Sequence, residues 1–320
     1  MSLRVVKQGH SSHARQEGVA LITVLLIFAV ASVIAIQMSS RLQLDLRRTE
    51  NMLALDKGAA YARGAEAYAT ALIPDLLEDN PQAATLASQD LPPYIVEEGV
   101  LQVSIYELSG RFNINWLDSV NNEPDEPTID AFERFATELG VNGAEARDLA
   151  IAIADWIDAD DDPTGVAGAE SQEYLRFEPP YRTANQAFQS ASELRLVRGM
   201  TDDLFETLKP FIAALPAESK LNINAAPIPV ILSLSDKVTP ENAQQLVTDR
   251  DVAALSTVPK YLELDGDPVA GNVIFSPEYF LLSTQADVLG RKSKLNSVVH
   301  LPPAAGNAKP LVLNRNQSMF

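Results

Sequence analysis

One segment restricts the possible folds more than any other. From Val19 to Ile36 the chain reads VALITVLLIFAVASVIAI, with Thr23 and Ser32 as the only polar side chains and no charge. A stretch of that length is about the minimum for a helix to cross a bilayer. Arg4, Lys7 and Arg15 precede it, against Glu17. Cations on that side hold it in the cytoplasm and send the rest of the chain across. The run does not end in a turn. Residues 37 to 73 hold no proline and only two glycines, Gly58 and Gly64. Leu42, Leu46, Leu53 and Ala60 recur at helical spacing among Arg41, Arg47, Arg48 and Glu50. One continuous helix from about Val19 to Ile73 is predicted, about 80 Å long at 1.5 Å per residue. Its first part is lipid-soluble and its second amphipathic, and Pro74 and Pro81 are expected to close it.

Three readings of the N-terminus compete. A secretory signal peptide has a shorter apolar core and a small-residue cleavage site behind it; here Arg41 follows without such a site. A plain signal anchor fits the length. The third reading places cleavage before the apolar run. Arg15-Gln16-Glu17-Gly18 followed by Val19-Ala20-Leu21-Ile22-Thr23-Val24-Leu25-Leu26 resembles the class III leader of type IV pilin-like proteins, which implies a cut between Gly18 and Val19.

Composition excludes several function classes. The net charge is -18 and the pI about 4.5, and an acidic surface repels phosphate backbones. With no cysteine there is neither a disulfide nor thiolate chemistry. His10 and His13 lie ahead of the apolar run, so a Ser-His-Asp triad would have to use His300. No G-x-S-x-G, H-E-x-x-H or Walker-type glycine loop occurs. An enzyme is not expected.

Beyond the long helix, Gly99–Leu108 alternates apolar and polar residues as a half-buried strand does, and Arg111–Asn115 reads as a second strand after a Ser109-Gly110 turn. Asn121–Thr128 reads as a loop. From Ile129 to about Leu255 the pattern is mainly helical: IDAFERFATELG, AEARDLAIAIADWIDA, SASELRLVRG, TDDLFETLKPFIAAL, APIPVILSL and PENAQQLVTDRD. Strand signals return in Tyr279–Ala286, Lys292–Leu301 and Pro310–Asn314. Strands at both ends of a helical block can share one sheet. The expected organisation is a leader (1–18), a transmembrane or fibre-core helix (19–37), the rest of the helix with the first strands (38–115), a helical insertion in two units (116–270) and closing strands (271–320). The fold class is α+β: a long N-terminal helix packed on an antiparallel sheet, with a large inserted all-helical domain. A short internal echo, Arg111-Phe112-Asn113-Ile114-Asn115 against Lys220-Leu221-Asn222-Ile223-Asn224, precedes a helical stretch each time.

Two local patterns bear on binding. Between Asp155 and Glu173 stand Asp155, Asp158, Asp160, Asp161, Asp162, Glu170 and Glu173, with no basic residue. Asp158, Asp160 and Asp162 match positions one, three and five of a calcium loop, but Pro163 stands where glycine belongs and Ala169 where glutamate does. A hard cation on Asp158, Asp160, Asp162 and Glu170, with Asp155, Asn185 and the 163–168 carbonyls to complete the shell, is one reading. A solvated acidic loop is the other. Leu196-Val197-Arg198-Gly199-Met200 between two helical stretches looks like a helix-hairpin-helix, so a membrane-anchored DNA-binding or DNA-uptake protein is the alternative function.

Taken together, Gly18-Val19-Ala20-Leu21, Arg48-Thr49-Glu50-Asn51, Gly110–Asn115, Ala154-Asp155-Trp156-Ile157-Asp158, Ser192-Glu193-Leu194-Arg195 and Leu221–Pro227 resemble the K-type minor pseudopilins of the type II secretion system along nearly the whole chain. That resemblance implies a pilin-like fold and a place at the pseudopilus tip, supporting export of folded proteins across the outer membrane. The implied partners are the I- and J-type minor pseudopilins, the major pseudopilin and the prepilin peptidase. It also implies N-methylation of Val19, a single-pass inner-membrane anchor with the globular part in the periplasm, and calcium, one or two ions, near the acidic run. Nucleic acid is not an expected partner. Most of the wider pilin class has glutamate at the fifth mature position; here it is Thr23. A buried glutamate is costly unless paired, and a subunit with none above it has no partner for one. Partner contacts are expected at Thr23 and along Leu42, Leu46 and Leu53.

Overall fold

The computed structural model describes residues 16–79, 88–118, 125–264, 272–303 and 309–316. The predicted leader up to residue 15, Pro81 and the loop residues 121–124 lie outside them. By its contacts the chain divides into two units, Met1–Lys57 and Gly58–Phe320.

The first unit contributes the start of helix α1 (Gln16–Asp79). From Val19 to Ile36 nearly every side chain is exposed. Thr23 and Ser32 donate their hydroxyls to the Ala20 and Phe28 carbonyls, at 2.9 and 2.8 Å. Both polar interruptions are thus satisfied inside the helix, as a lipid-facing helix requires. The expectation that Pro74 ends α1 is corrected: Pro74 lies inside it. An interior proline loses a hydrogen bond and crowds the preceding turn, but Ile73 beside it is buried against the sheet, which holds the helix on to Asp79.

In the second unit the remainder of α1 packs on an antiparallel sheet of β1 (Ser88–Asp90), β2 (Tyr94–Val96), β3 (Gly99–Glu107), β8 (Tyr279–Val288), β9 (Arg291–His300) and β10 (Leu311–Asn316), in the order β1-β3-β8-β9-β10 with β2 also on β3. β3 and β8 pair from Gly99↔Val288 to Glu107↔Phe280. The strands before and after the helical block therefore close one sheet, as expected. Alternation sends Leu101, Val103, Ile105, Phe280, Leu282 and Ala286 to the face where Ala62, Ala69 and Ile73 of α1 lie. Glu66 is buried there too, and Arg315 Nε on the edge strand donates to both its oxygens at 2.9 and 3.0 Å.

The inserted block repeats one plan twice. β4 (Phe112–Asn113) leads to α2 (Glu126–Glu138) and α3 (Gly143–Ile157), which pack on each other, then α4 (Ser171–Tyr174) and α5 (Asp202–Leu208), and returns in β5 (Ile212–Ala213), parallel to β4. β6 (Leu221–Asn222) leads to α6 (Ile228–Ser233) and α7 (Pro240–Val252), again packed together, and returns in β7 (Val273–Ile274), parallel to β6. The block thus carries two short parallel ladders besides its helices. Several boundaries differ from expectation. Arg111–Asn115 is strand only at Phe112–Asn113 and turns into a 3-10 helix at Ile114. Glu126–Thr128, read as loop, starts α2 with proline in its first turn. The stretch 190–199 is a 3-10 turn, Ala191–Leu196. Residues 201–215 stop being α-helical at Leu208, before Pro210, and become β5.

Candidate functional site

The site is built on the end of α3. Asn142 caps its start, its side chain accepting from Ala144 N at 3.0 Å. Its last turn brings Asp155, with Asp158 as C-cap and no basic residue in that turn. Carboxylates there face the negative end of the helix dipole, the less favourable end for an anion. Asp155 is fully buried. Its Oδ2 accepts from Thr164 N at 3.0 Å and Ala169 N at 2.8 Å, folding the loop back onto the helix. Gly168 permits this, since a Cβ there would overlap Thr164 N and Asp155 Oδ2.

The fold-back delivers Glu170, 2 % exposed, beside Asp155 and Asp158, all three with a carboxylate oxygen within 4.8 Å of the others. The far side of the loop returns at Asn185, whose N–H donates to Trp156 O at 3.1 Å and whose Nδ2 donates to Asp160 O at 2.8 Å. Its φ is +45°, a conformation asparagine tolerates. Asp155 Oδ1 and Asn185 Oδ1 are buried and accept no hydrogen bond, and the buried Glu170 oxygens have at most the Thr183 hydroxyl as a donor. Such oxygens are costly unless something positive meets them. Burial first, then the charges of Asp155, Asp158 and Asp161, push the Glu170 carboxyl up to about 8. A donor set of carboxylate and amide oxygens, with no cysteine in the chain, fits a hard divalent cation rather than zinc. Trp156, between Asp155 and Asp158 in the chain, is in T-shaped contact with Tyr174 at 5.1 Å and stacked on Phe188 at 6.3 Å.

Of the expected ligands, Asp155, Asp158 and Glu170 are in this cluster, and of the three matched by calcium-loop spacing only Asp158 is. Asp160 and Asp162 are outside it: Asp160 Oδ1 accepts from Asp162 N at 2.8 Å, and Asp162 is exposed. Asp155 is the centre of the arrangement. Its signal in the sequence was two acids three apart on a helix end with no basic residue, not the alternating aspartates.

The hairpin at 196–200 keeps its arginines occupied. Arg195 pairs with Asp202 and, at 2.6 Å, with Glu206, and lies 4.1 Å over the Phe205 ring. Arg198 donates to the Ala167 carbonyl. On α1, Gly18 lies in the helix, Val19 is exposed, and Leu42, Leu46 and Leu53 are exposed on one helical face.

A family described as Type II secretion system (T2SS), protein K, matches residues 110–217. The chain is 34% identical over 245 residues to the type II secretion system protein K of Pseudomonas aeruginosa, covering 73% of this chain and 72% of that one. Against the protein of the same name from Aeromonas hydrophila it is 38% identical over 254 residues, 74% and 76% of the two chains. A chain in the crystal structure of the GspK-GspI-GspJ complex from enterotoxigenic Escherichia coli matches with TM-score 0.68 at 21% identity, over 85% of this chain and 100% of that chain. That likeness concerns the fold.

Proposed function

The chain belongs to the type II secretion system protein K family, and from that premise we propose how each of its parts serves the machine. It is a minor pseudopilin, a structural component of the secretion apparatus. The observation that carries the further reading is α1: a lipid-soluble stretch with internally satisfied hydroxyls that continues into exposed leucines at 42, 46 and 53. The stretch anchors the chain once in the inner membrane, with the globular part in the periplasm, because the cations precede it. The prepilin peptidase cuts between Gly18 and Val19, and Val19 is N-methylated. Intact-mass measurement of membrane-extracted protein tests this; a chain starting after residue 37 overturns it.

The leucine face meets the helices of the I- and J-type minor pseudopilins, and the chain caps the pseudopilus above the major pseudopilin. The solved neighbour that comes from a GspK-GspI-GspJ complex and the absence of a fifth-position glutamate at Thr23 support this. Co-elution of the region from Arg41 onward with those two partners tests it.

Calcium, one or two ions, is held by Asp155, Asp158, Glu170 and Asn185, with Asp160 and Asp162 at the rim of the loop. The buried, unsatisfied oxygens support it. The ion supplies charge neutralisation and pins the loop. Filling the site at ten times its dissociation constant contributes about 1.4 kcal/mol. A melting temperature unchanged by calcium or chelator, in the native chain and in Asp155→Ala alike, overturns the metal reading.

A further inference from the structure

The two halves of the inserted block place the same asparagine in the same role. In the first, Asn115 Nδ2 donates to the Phe188 and Leu215 carbonyls at 3.0 and 2.8 Å, and its Oδ1 accepts from Phe188 N at 2.8 Å. In the second, Asn224 Nδ2 donates to the Leu255 and Phe275 carbonyls at 2.9 and 2.8 Å, and its Oδ1 accepts from Leu255 N at 2.8 Å. Asn113 and Asn222 accept alike from the N–H two residues on, both at 3.1 Å. Phe188 and Leu255 are therefore equivalent positions, as are Leu215 and Phe275. Each clamp is followed by a 3-10 turn, Ala191–Leu196 or Lys260–Leu262, on the way to β5 or β7.

One connection between the helices and the clamp differs sharply in length. Leu255 follows the end of α7 at Val252 almost directly, while Phe188 follows the end of α3 at Ile157 only after the whole segment Asp158–Ala187. That segment leaves at Asp155 and Asp158 and returns at Asn185, three residues before the clamped Phe188. Asp155 and Asp158 of the carboxylate cluster thus sit at the base of the excursion, with Glu170 folded back onto them from within it, where in the second half the chain runs straight through.

We propose that residues 158–187 are an insertion into a duplicated strand–helix–helix–strand module, and that the cation's work is to tie the two ends of this insertion together. The module itself is closed by its asparagine clamp and does without the ion, as its second copy does with no such loop. This rests on the calcium reading for the identity of the tie. A long loop loses entropy when its ends are fixed, and an ion held by groups on both ends takes over that closure. Tyr174, buried among Trp156, Phe177 and Tyr181, is how the insertion rests on the module it interrupts.

Two measurements test it. Hydrogen exchange of the full chain in detergent is followed with calcium and with chelator. Chelation is expected to speed exchange at least tenfold in 159–187 while α2, the first turns of α3 and the second module keep their protection. Equal loss of protection in α2 and α3 overturns the inference and leaves the calcium reading intact; a pattern indifferent to chelator overturns both. In the second measurement, Asp158–Ala187 is replaced by the Ala-Ala link found at 253–254. The shortened chain is expected to melt cooperatively at a temperature indifferent to calcium. A melt that still rises with calcium overturns the insertion reading, since the ion would then belong to the module.

Discussion

At the scale of single residues, the site depends on a glycine as much as on its acids. Gly168 lies against Thr164 N and Asp155 Oδ2 with no space for a Cβ. Gly168→Ala should push the loop off Asp155, separate Glu170 from the helix end and weaken calcium binding roughly tenfold, about 1.4 kcal/mol, read as a smaller calcium-induced rise in melting temperature. An undiminished rise would show that the loop relaxes around the methyl group. Glu107, where β3 meets the second module, makes a separate prediction. Its oxygens accept from Gly110 N at 2.7 Å and from Asn222 Nδ2 at 3.5 Å. Burial nevertheless pushes its carboxyl up to about 7 from an ordinary 4.5. The folded state then holds a proton that the unfolded state has given up. Stability from this group is complete below about pH 4.5, falls as the pH rises towards 7 and is level above. Glu107→Gln has no such slope, so its stability relative to the native chain should improve by up to about 3 kcal/mol between pH 5 and pH 8. Urea melts at both pH values with calcium saturating decide it; a difference that does not change with pH contradicts the assignment.

At the scale of elements, the asparagine clamps join segments distant in sequence. Asn115→Ala would leave Phe188 N, Phe188 O and Leu215 O buried without partners, and Asn224→Ala would take the same partner from the half-buried Leu255 and Phe275. Each should cost roughly 3–5 kcal/mol. If the two copies are equivalent, the penalties should agree to within about 1 kcal/mol; a large gap between the two urea midpoints would mean that the repeat is geometric and not energetic. The echo of R-F-N-I-N in K-L-N-I-N was legible in the chain, but its purpose was not. The first clamp is made of backbone groups 73 and 100 residues away and the second of groups 31 and 51 residues away, and no local pattern shows where those groups return. The same limit explains the shortened elements. Residues 212–213 carry a β-branched signal too brief to outweigh the helical run before them, and only their pairing with Phe112–Asn113 makes them a strand. The long strands and α1, whose periodicity extends over many residues, were legible nearly to their ends.

At the scale of the whole molecule, the two units divide the work. Gly58–Phe320 contains the sheet, the modules and the carboxylate site, and its core clusters lie entirely within it. Met1–Lys57 contains the apolar run and the leucines of the predicted seam, which remain exposed. Exposed leucines at helical spacing beyond a membrane stretch are costly to leave in water, about 25 cal/mol for each Å² of apolar surface. A second helix laid along them recovers that surface, less the cost of ordering the partners. Leu46→Asp with Leu53→Asp places two like charges along the seam and changes no residue of the second unit. The variant, taken from Arg41 onward, should keep the native melting temperature and the native response to calcium, yet lose co-elution with the I- and J-type partners. An unchanged melt without assembly assigns the seam to partner helices. An unchanged melt with assembly intact moves the interface into Gly58–Phe320, where Tyr94 and Ile95 on β2 are the most exposed apolar side chains of the sheet and would be the next to substitute.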